Sequence, residues 1–221
     1  MFFLKDSINL VIQYMPNLLE GLKYTILVSL QAIGIGFIVG VILSILRMGK
    51  SKIIKHIINI YISFVRGTPI IVQIFIIYYA LAMIGLDIPS YQSGVIALSL
   101  NSGGFIAEII RGGLSAIPKG QYEAAEVLKM NKFQTLTRII FPQVFRIILP
   151  QLLSEFISVI KISPLLSIIA VVELTRAAQK IITTTYVSLP FYITIAIMYF
   201  ILNSVLEFLV NIIEKKMNLK N

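Results

Sequence analysis

From Tyr24 to Leu46 the chain runs for 23 residues without one acidic or basic side chain. A helix rises about 1.5 Å per residue, so a run of this length reaches across a hydrocarbon core of about 30 Å. It has no charged face to turn toward water, which excludes a surface helix of a soluble domain. Four more stretches are apolar enough to insert: within 53–84, about 91–113, within 138–172 and about 190–213. In the second, Gly67 and Pro69 predict a kink or a break into two helices. Pro142, Pro150 and Pro164 punctuate the fourth, which holds a span plus a lead-in or a cap, and Pro190 suits the first turn of the fifth. The composition agrees, with 57% hydrophobic and 13% charged residues. The expected fold is all-α and integral to the membrane, with five transmembrane helices.

Basic residues assign the sides, because lysine and arginine are retained on the cytoplasmic face. Twelve lie on one side: Arg47, Lys50, Lys52 and Lys55; Arg111, Lys119, Lys129, Lys132 and Arg138; Lys215, Lys216 and Lys220. Only Lys5, Lys23, Arg176 and Lys180 lie on the other. The N-terminus is therefore expected outside and the C-terminus inside. Residues 1–23 read as an interfacial amphipathic segment rather than a cleavable signal, because Lys5 sits beside Asp6 and Pro16–Asn17 break the run. Residues 24–213 form the transmembrane domain with a cytoplasmic loop at 114–138, and 214–221 form a cytoplasmic tail. The net charge of +9 is dispersed between apolar runs, as suits a chain facing anionic lipid, and no nucleic-acid partner is expected. With no cysteine and a single, peripheral His56, thiol chemistry and metal sites are not expected.

The 114–138 loop is too polar to insert and too patterned for a plain connector. Pro118 and Gly120 mark a turn, Gln121 to Lys129 favour helix, and Asn131 suits the cap of a second short helix starting near Lys132. Tyr122, Ala125 and Leu128 or Lys129 share a stripe, and Ala124 is small enough to admit a neighbour's side chain. From composition alone this is an amphipathic bridge on the membrane surface.

Glu123-Ala124-Ala125, then Lys129, then nine residues to Ile139-Ile140-Phe141-Pro142, resemble the EAA signature of ATP-binding-cassette importer permeases, E-A-A-x3-G-x9-I-x-L-P. The flanking GFIAEIIRGGLSAIPKGQYEAA, FPQVFRIILPQLLSEFISVIK and VVELTRAAQ, and FVRGTPIIVQIFIIYY at 64–79, are similar to the branch that imports polar amino acids. The resemblance runs from Gly21 onward and implies a type I importer permease in the cytoplasmic (inner) membrane of a prokaryote, crossing it several times. It implies that the loop docks on a separate ATPase subunit through Gln121, Tyr122, Glu123, Ala124, Ala125 and Leu128. It further implies a second permease chain, identical or different, and an extracytoplasmic substrate-binding protein. ATP and Mg then belong to the ATPase, and this chain holds no cofactor and is not itself an enzyme. One departure stands out: Lys129 occupies the place of the family's glycine, so a left-handed turn there carries a side chain at some cost.

Charged groups inside a bilayer cost roughly 2.5–3.5 kcal/mol on insertion scales, so each needs a partner or an aqueous cavity. Glu108 and Arg111 are three apart on one helix and read as an intrahelical pair. Arg66 either satisfies carbonyls freed at the kink, pairs with Glu108 or Glu155, or meets substrate. Glu155, with Asn101, Ser102, Gly103, Ser154 and Ser158, is a candidate lining for an amino-acid pathway, Gly103 and Gly104 allowing close approach. The alternative pairs Glu155 with Lys161 or Arg66. Glu207 reads as a helix-interface partner, and Gly36 and Gly40 as a close-packing pair. Gly49-Lys50-Ser51 is no phosphate-binding loop, since Ser44 stands where its first glycine belongs. An ion-coupled secondary transporter or channel would also use the intramembrane charges, but leaves the loop unexplained.

Overall fold

The computed structural model describes residues 2–217, with side chains from Ser7 onward. Among the described residues all its regular secondary structure is helical. Helix α1 (Phe2–Met48) is followed by α2 (Lys52–Gly67), α3 (Ile70–Met83) and α4 (Ser90–Ser115). Helix α5 (Lys119–Val127) and the one-turn α6 (Lys132–Gln134) lead through a widened π turn, Thr135–Ile140, into α7 (Phe141–Ile162). A 3-10 turn, Ser163–Ile169, then precedes α8 (Leu174–Thr185) and α9 (Leu189–Lys216). Four segments are long and apolar enough to cross a membrane, and the pair α2–α3, bent by 116°, makes a fifth when counted as one broken span.

The separate segment expected over 1–23 is instead the first half of α1, which contains Pro16 without breaking. Proline removes one ladder hydrogen bond and crowds the carbonyl four residues back. Packing offsets this loss: Leu18 is fully buried against Leu174, Ala178, Ile181, Phe191 and Ile195 of α8 and α9, with Leu10, Val11, Tyr14 and Leu22 around it. Of the tail expected over 214–221, Glu214 to Lys216 complete α9, and residues 218–221, including Lys220, lie outside the described residues.

Helix α4 is the hub. Of its most apolar stretch 67% is buried, against 6% for that of α9. It packs on α1, α2, α3 and α7. Small residues set the α1–α4 distance: a Cβ on Gly40 would stand 2.6 Å from Ile106 Cγ2, and one on Gly103 would stand 2.7 Å from Val39 Cγ1. The packing role expected of Gly36 and Gly40 is therefore the observed one. Gly103, expected to line the pathway, is consumed by the same interface. Gly104 likewise meets Val65 of α2.

The break between α2 and α3 is held by a side chain that the sequence did not single out. Gln73 Nε2 donates to the Val65 carbonyl at 2.9 Å, the Thr68 carbonyl at 3.1 Å and Thr68 Oγ1 at 2.9 Å. Asn101 Nδ2 in turn donates to Gln73 Oε1 at 3.0 Å, which ties the elbow to the middle of α4. Carbonyls freed at the kink are thus satisfied by Gln73, not by Arg66. At the opposite end of the bundle Glu173, fully buried, caps α8 by accepting from Thr175 N and Arg176 N, and Tyr199 Oη donates to it at 2.7 Å. Burial pushes the Glu173 carboxyl above its ordinary range, against the opposing pull of these donors.

Candidate functional site

The loop between α4 and α7 folds as two short helices. Asn131 caps the second: Gln134 N donates to its Oδ1 at 2.9 Å, and Asn131 N donates to Gln134 Oε1 at 3.0 Å. The first ends in a left-handed residue, Lys129, with φ of 53°. Met130 N donates to the Ala125 carbonyl at 3.0 Å and Lys129 N to the Glu126 carbonyl at 2.8 Å, the double closure that usually recruits glycine. The turn expected there therefore forms, with lysine in the strained position.

The residues expected on the docking face divide. Gln121, Tyr122, Glu123, Ala124 and Leu128 are exposed, whereas Ala125 is 1% exposed and faces inward, where α5 packs on the π turn. Ala125 consequently supports the helix from behind. Gln121 Oε1 also accepts from Gln143 Nε2 at 3.3 Å, which fastens α5 to α7. Two apolar side chains missed in the sequence join the surface: Val127 is 82% exposed and Phe133 75%. Neither fits the expected stripe, since α5 stops at Val127 and the turn at Lys129 re-aims the chain beyond it.

Glu108 gathers three arginines rather than one. Arg111 Nη2 lies 2.5 Å away, Arg47 Nη1 3.0 Å and Arg66 Nη1 3.8 Å. The intrahelical pair expected with Arg111 is present, and Arg47, 61 residues distant, is an addition. Lys161 pairs with Glu207 of α9 at 3.5 Å. Glu155 has no salt-bridge partner among the described residues, so the alternative that tied it to Lys161 or Arg66 is not observed.

Of the expected pathway residues, Asn101, Glu155 and Ser158 come together on one cavity with Ser102 beside Glu155, while Gly103 and Ser154 lie elsewhere. Arg66, Asn101, Glu155 and Ser158 line one cavity of about 290 Å³, with Val65, Thr68, Ile70, Phe105 and Ile162 around them. Ser102, fully buried, lies between Gly36 of α1 and the Glu155 carboxyl of α7. Ser154 opens on a different cavity, of about 390 Å³, beside Lys161 and Glu207, with Ser158 shared between the two. Both serines donate to their own helix, Ser154 Oγ to the Pro150 carbonyl and Ser158 Oγ to the Ser154 carbonyl, each at 3.0 Å.

An all-helical membrane bundle with a two-helix loop between spans and an open cavity lined by unlike charges suits a transport subunit. The chain belongs to the family of binding-protein-dependent transport system inner membrane components, whose sequence profile matches residues 32–219. It is 35% identical over 206 residues to the glutamine transport system permease protein GlnP of Escherichia coli (strain K12), covering 92% of this chain and 94% of that protein. It is 37% identical over 206 residues to the L-cystine transport system permease protein TcyB of Bacillus subtilis (strain 168), covering 93% and 88%. A solved amino acid ABC transporter crystallised with histidines superposes with a TM-score of 0.89 at 37% identity, over 93% of this chain and 96% of that one. The MetNI methionine ABC transporter shares the fold, with a TM-score of 0.73 at 20% identity. The chain is thus a permease subunit of an ATP-binding-cassette importer, and ATP hydrolysis belongs to a separate subunit. An ion-coupled secondary transporter or channel is thereby set aside.

Proposed function

We propose that this chain forms one half of the path of a polar amino acid through the cytoplasmic membrane of a prokaryote, and that a separate ATPase drives it through α5 and α6. The observation that carries the substrate class is the cavity shared by Arg66 and Glu155, two opposite charges not paired with each other. A zwitterion needs both: Glu155 accepts from the ammonium group, Arg66 donates to the carboxylate, and Asn101 and Ser158 read the remaining polar groups. The names of the relatives make glutamine and cystine the first substrates to test. A basic amino acid would draw further benefit from Glu155.

Tyr122, Glu123, Ala124, Val127, Leu128 and Phe133 form the surface offered to the ATPase, on which ATP and Mg are held. A second permease chain, identical or different, completes the path, and an extracytoplasmic binding protein delivers substrate at the α8 end. The twelve-to-four distribution of basic residues supports placing the α5 end in the cytoplasm and the N-terminus outside. The test is a complex of permease, ATPase and binding protein reconstituted in proteoliposomes, with amino acids scanned for stimulation of ATP hydrolysis. Glu155→Gln is expected to reduce stimulated transport at least tenfold, and equal transport of lysine, histidine and glutamine by this variant would remove the substrate assignment. Glu123→Arg is expected to abolish co-purification of the ATPase; retained association would remove the docking assignment while leaving the cavity untouched.

A further inference from the structure

A third cavity, of about 300 Å³, opens where α1 ends, α2 begins and α4 approaches its last turns. Its walls carry Arg47, Lys55 and Arg111, with Ser44 and Asn59 between them. These three cations come from three helices, so their convergence is a property of the fold rather than of a basic run in the sequence. Arg47 and Arg111 each spend part of their donor set on Glu108, Arg66 shares that carboxylate, and Lys55 has no acidic partner among the described residues. Three arginines thus share one carboxylate, and Lys55 adds a further cation to the cavity wall. A guanidinium carries five N–H donors, and Glu108 engages only Nη1 of Arg47 and Nε and Nη2 of Arg111, which leaves donors for a second anion.

We infer that this cavity holds the phosphate of an anionic phospholipid. The depth fits, since the three cations sit at span ends, where headgroups lie. The wall fits as well: Met48, which is 48% exposed, and Leu114 line the cavity and give an acyl chain an apolar surface beside the cations. A phosphate accepts from Arg47, Arg111 and Lys55 together, while a zwitterionic headgroup brings its own cation into a pocket already in positive excess. The same oxyanion chemistry would admit free phosphate, but free phosphate has no use for the apolar wall of Met48 and Leu114.

The test uses the intact transporter complex, purified and exchanged into micelles doped equally with phosphatidylglycerol and phosphatidylcholine, with retained lipid counted by mass spectrometry. Phosphatidylglycerol should be retained in preference, and Lys55→Glu should lower its retention at least fivefold, about the effect of one basic side chain at a membrane surface. Lys23→Glu, the same charge change on an exposed residue in the other half of α1, should leave retention unchanged. Lys55→Gln should lie between wild type and Lys55→Glu, and because Lys55 pairs with no acid among the described residues, both variants should keep the wild-type melting temperature. Equal retention of both lipids, or retention indifferent to Lys55→Glu, would overturn the assignment. Displacement of the lipid by excess inorganic phosphate would overturn the lipid as the source and leave a free-oxyanion site.

Discussion

Removing the carboxylate of Glu108 separates the contributions of its three arginines. Arg47 is the most enclosed, with side-chain exposures of 24% and 19% across the pair and a contact of 3.0 Å. A hydrogen bond to a charged group in such a setting contributes about 1.5–3 kcal/mol. Arg66 and Arg111 are 51% and 48% exposed, so solvent screening holds each to about 0.2–1 kcal/mol despite the short Arg111 contact. Glu108→Ala is therefore expected to destabilise the chain by about 2–5 kcal/mol, and Glu108→Gln, which keeps one acceptor, by less. The assay is reversible unfolding in mixed micelles, run as double-mutant cycles with Arg47→Gln and Arg66→Gln. Coupling to Arg47 should exceed coupling to Arg66 and persist in high salt, while coupling to Arg66 should vanish there. Coupling that ranks Arg66 above Arg47, or a Glu108→Ala variant as stable as wild type, would refute the reasoning.

Lys129→Gly relieves the left-handed penalty and should stabilise the α5 turn by about 1 kcal/mol, read as slower amide exchange at residue 129 and Met130. Faster exchange would show that the lysine side chain, not the backbone, holds the turn. Gln73→Ala frees the Val65 and Thr68 carbonyls and strips Asn101 of its acceptor, with a loss of about 1–3 kcal/mol expected for each group left buried and unpaired. Gln73→Glu keeps the acceptor for Asn101 but not the donor, so it should lose nearly as much, and a melting temperature equal to wild type in both would dismiss the elbow bond.

The chain's apolar runs make the spans readable from the amino-acid order, because crossing a membrane needs a length that four helices supply alone and α2 and α3 supply only together. The elbow at Gly67 and Pro69, the cap at Asn131 and the left-handed turn at Lys129 are likewise legible, since each arises from local backbone chemistry. The illegible part depends on how each helix is rotated about its axis. Periodicity groups Ala125 with Tyr122 and Leu128, yet α5 is nine residues long and Leu128 already lies past its end. Ser102 and Asn101 are adjacent in sequence, and their helix points one at α1 and the other at the elbow. The ion pairs Arg47–Glu108 and Lys161–Glu207 link residues 61 and 46 positions apart, and no spacing rule reaches that far. Gln73 carries no charge and sits in an apolar run, so nothing in its neighbourhood marks it.

Helix α1 continues unbroken from the cluster around Leu18 to the guanidinium of Arg47, and its whole length makes a rod of about 70 Å at the ordinary rise per residue. A beam of that length turns small angles into large strokes: a tilt of about 5° about one end sweeps the other by about 6 Å, comparable to one helical turn. Pro16 lies before Leu18, so the stretch of α1 from the Leu18 cluster to Arg47 contains no proline at which such a tilt could be absorbed.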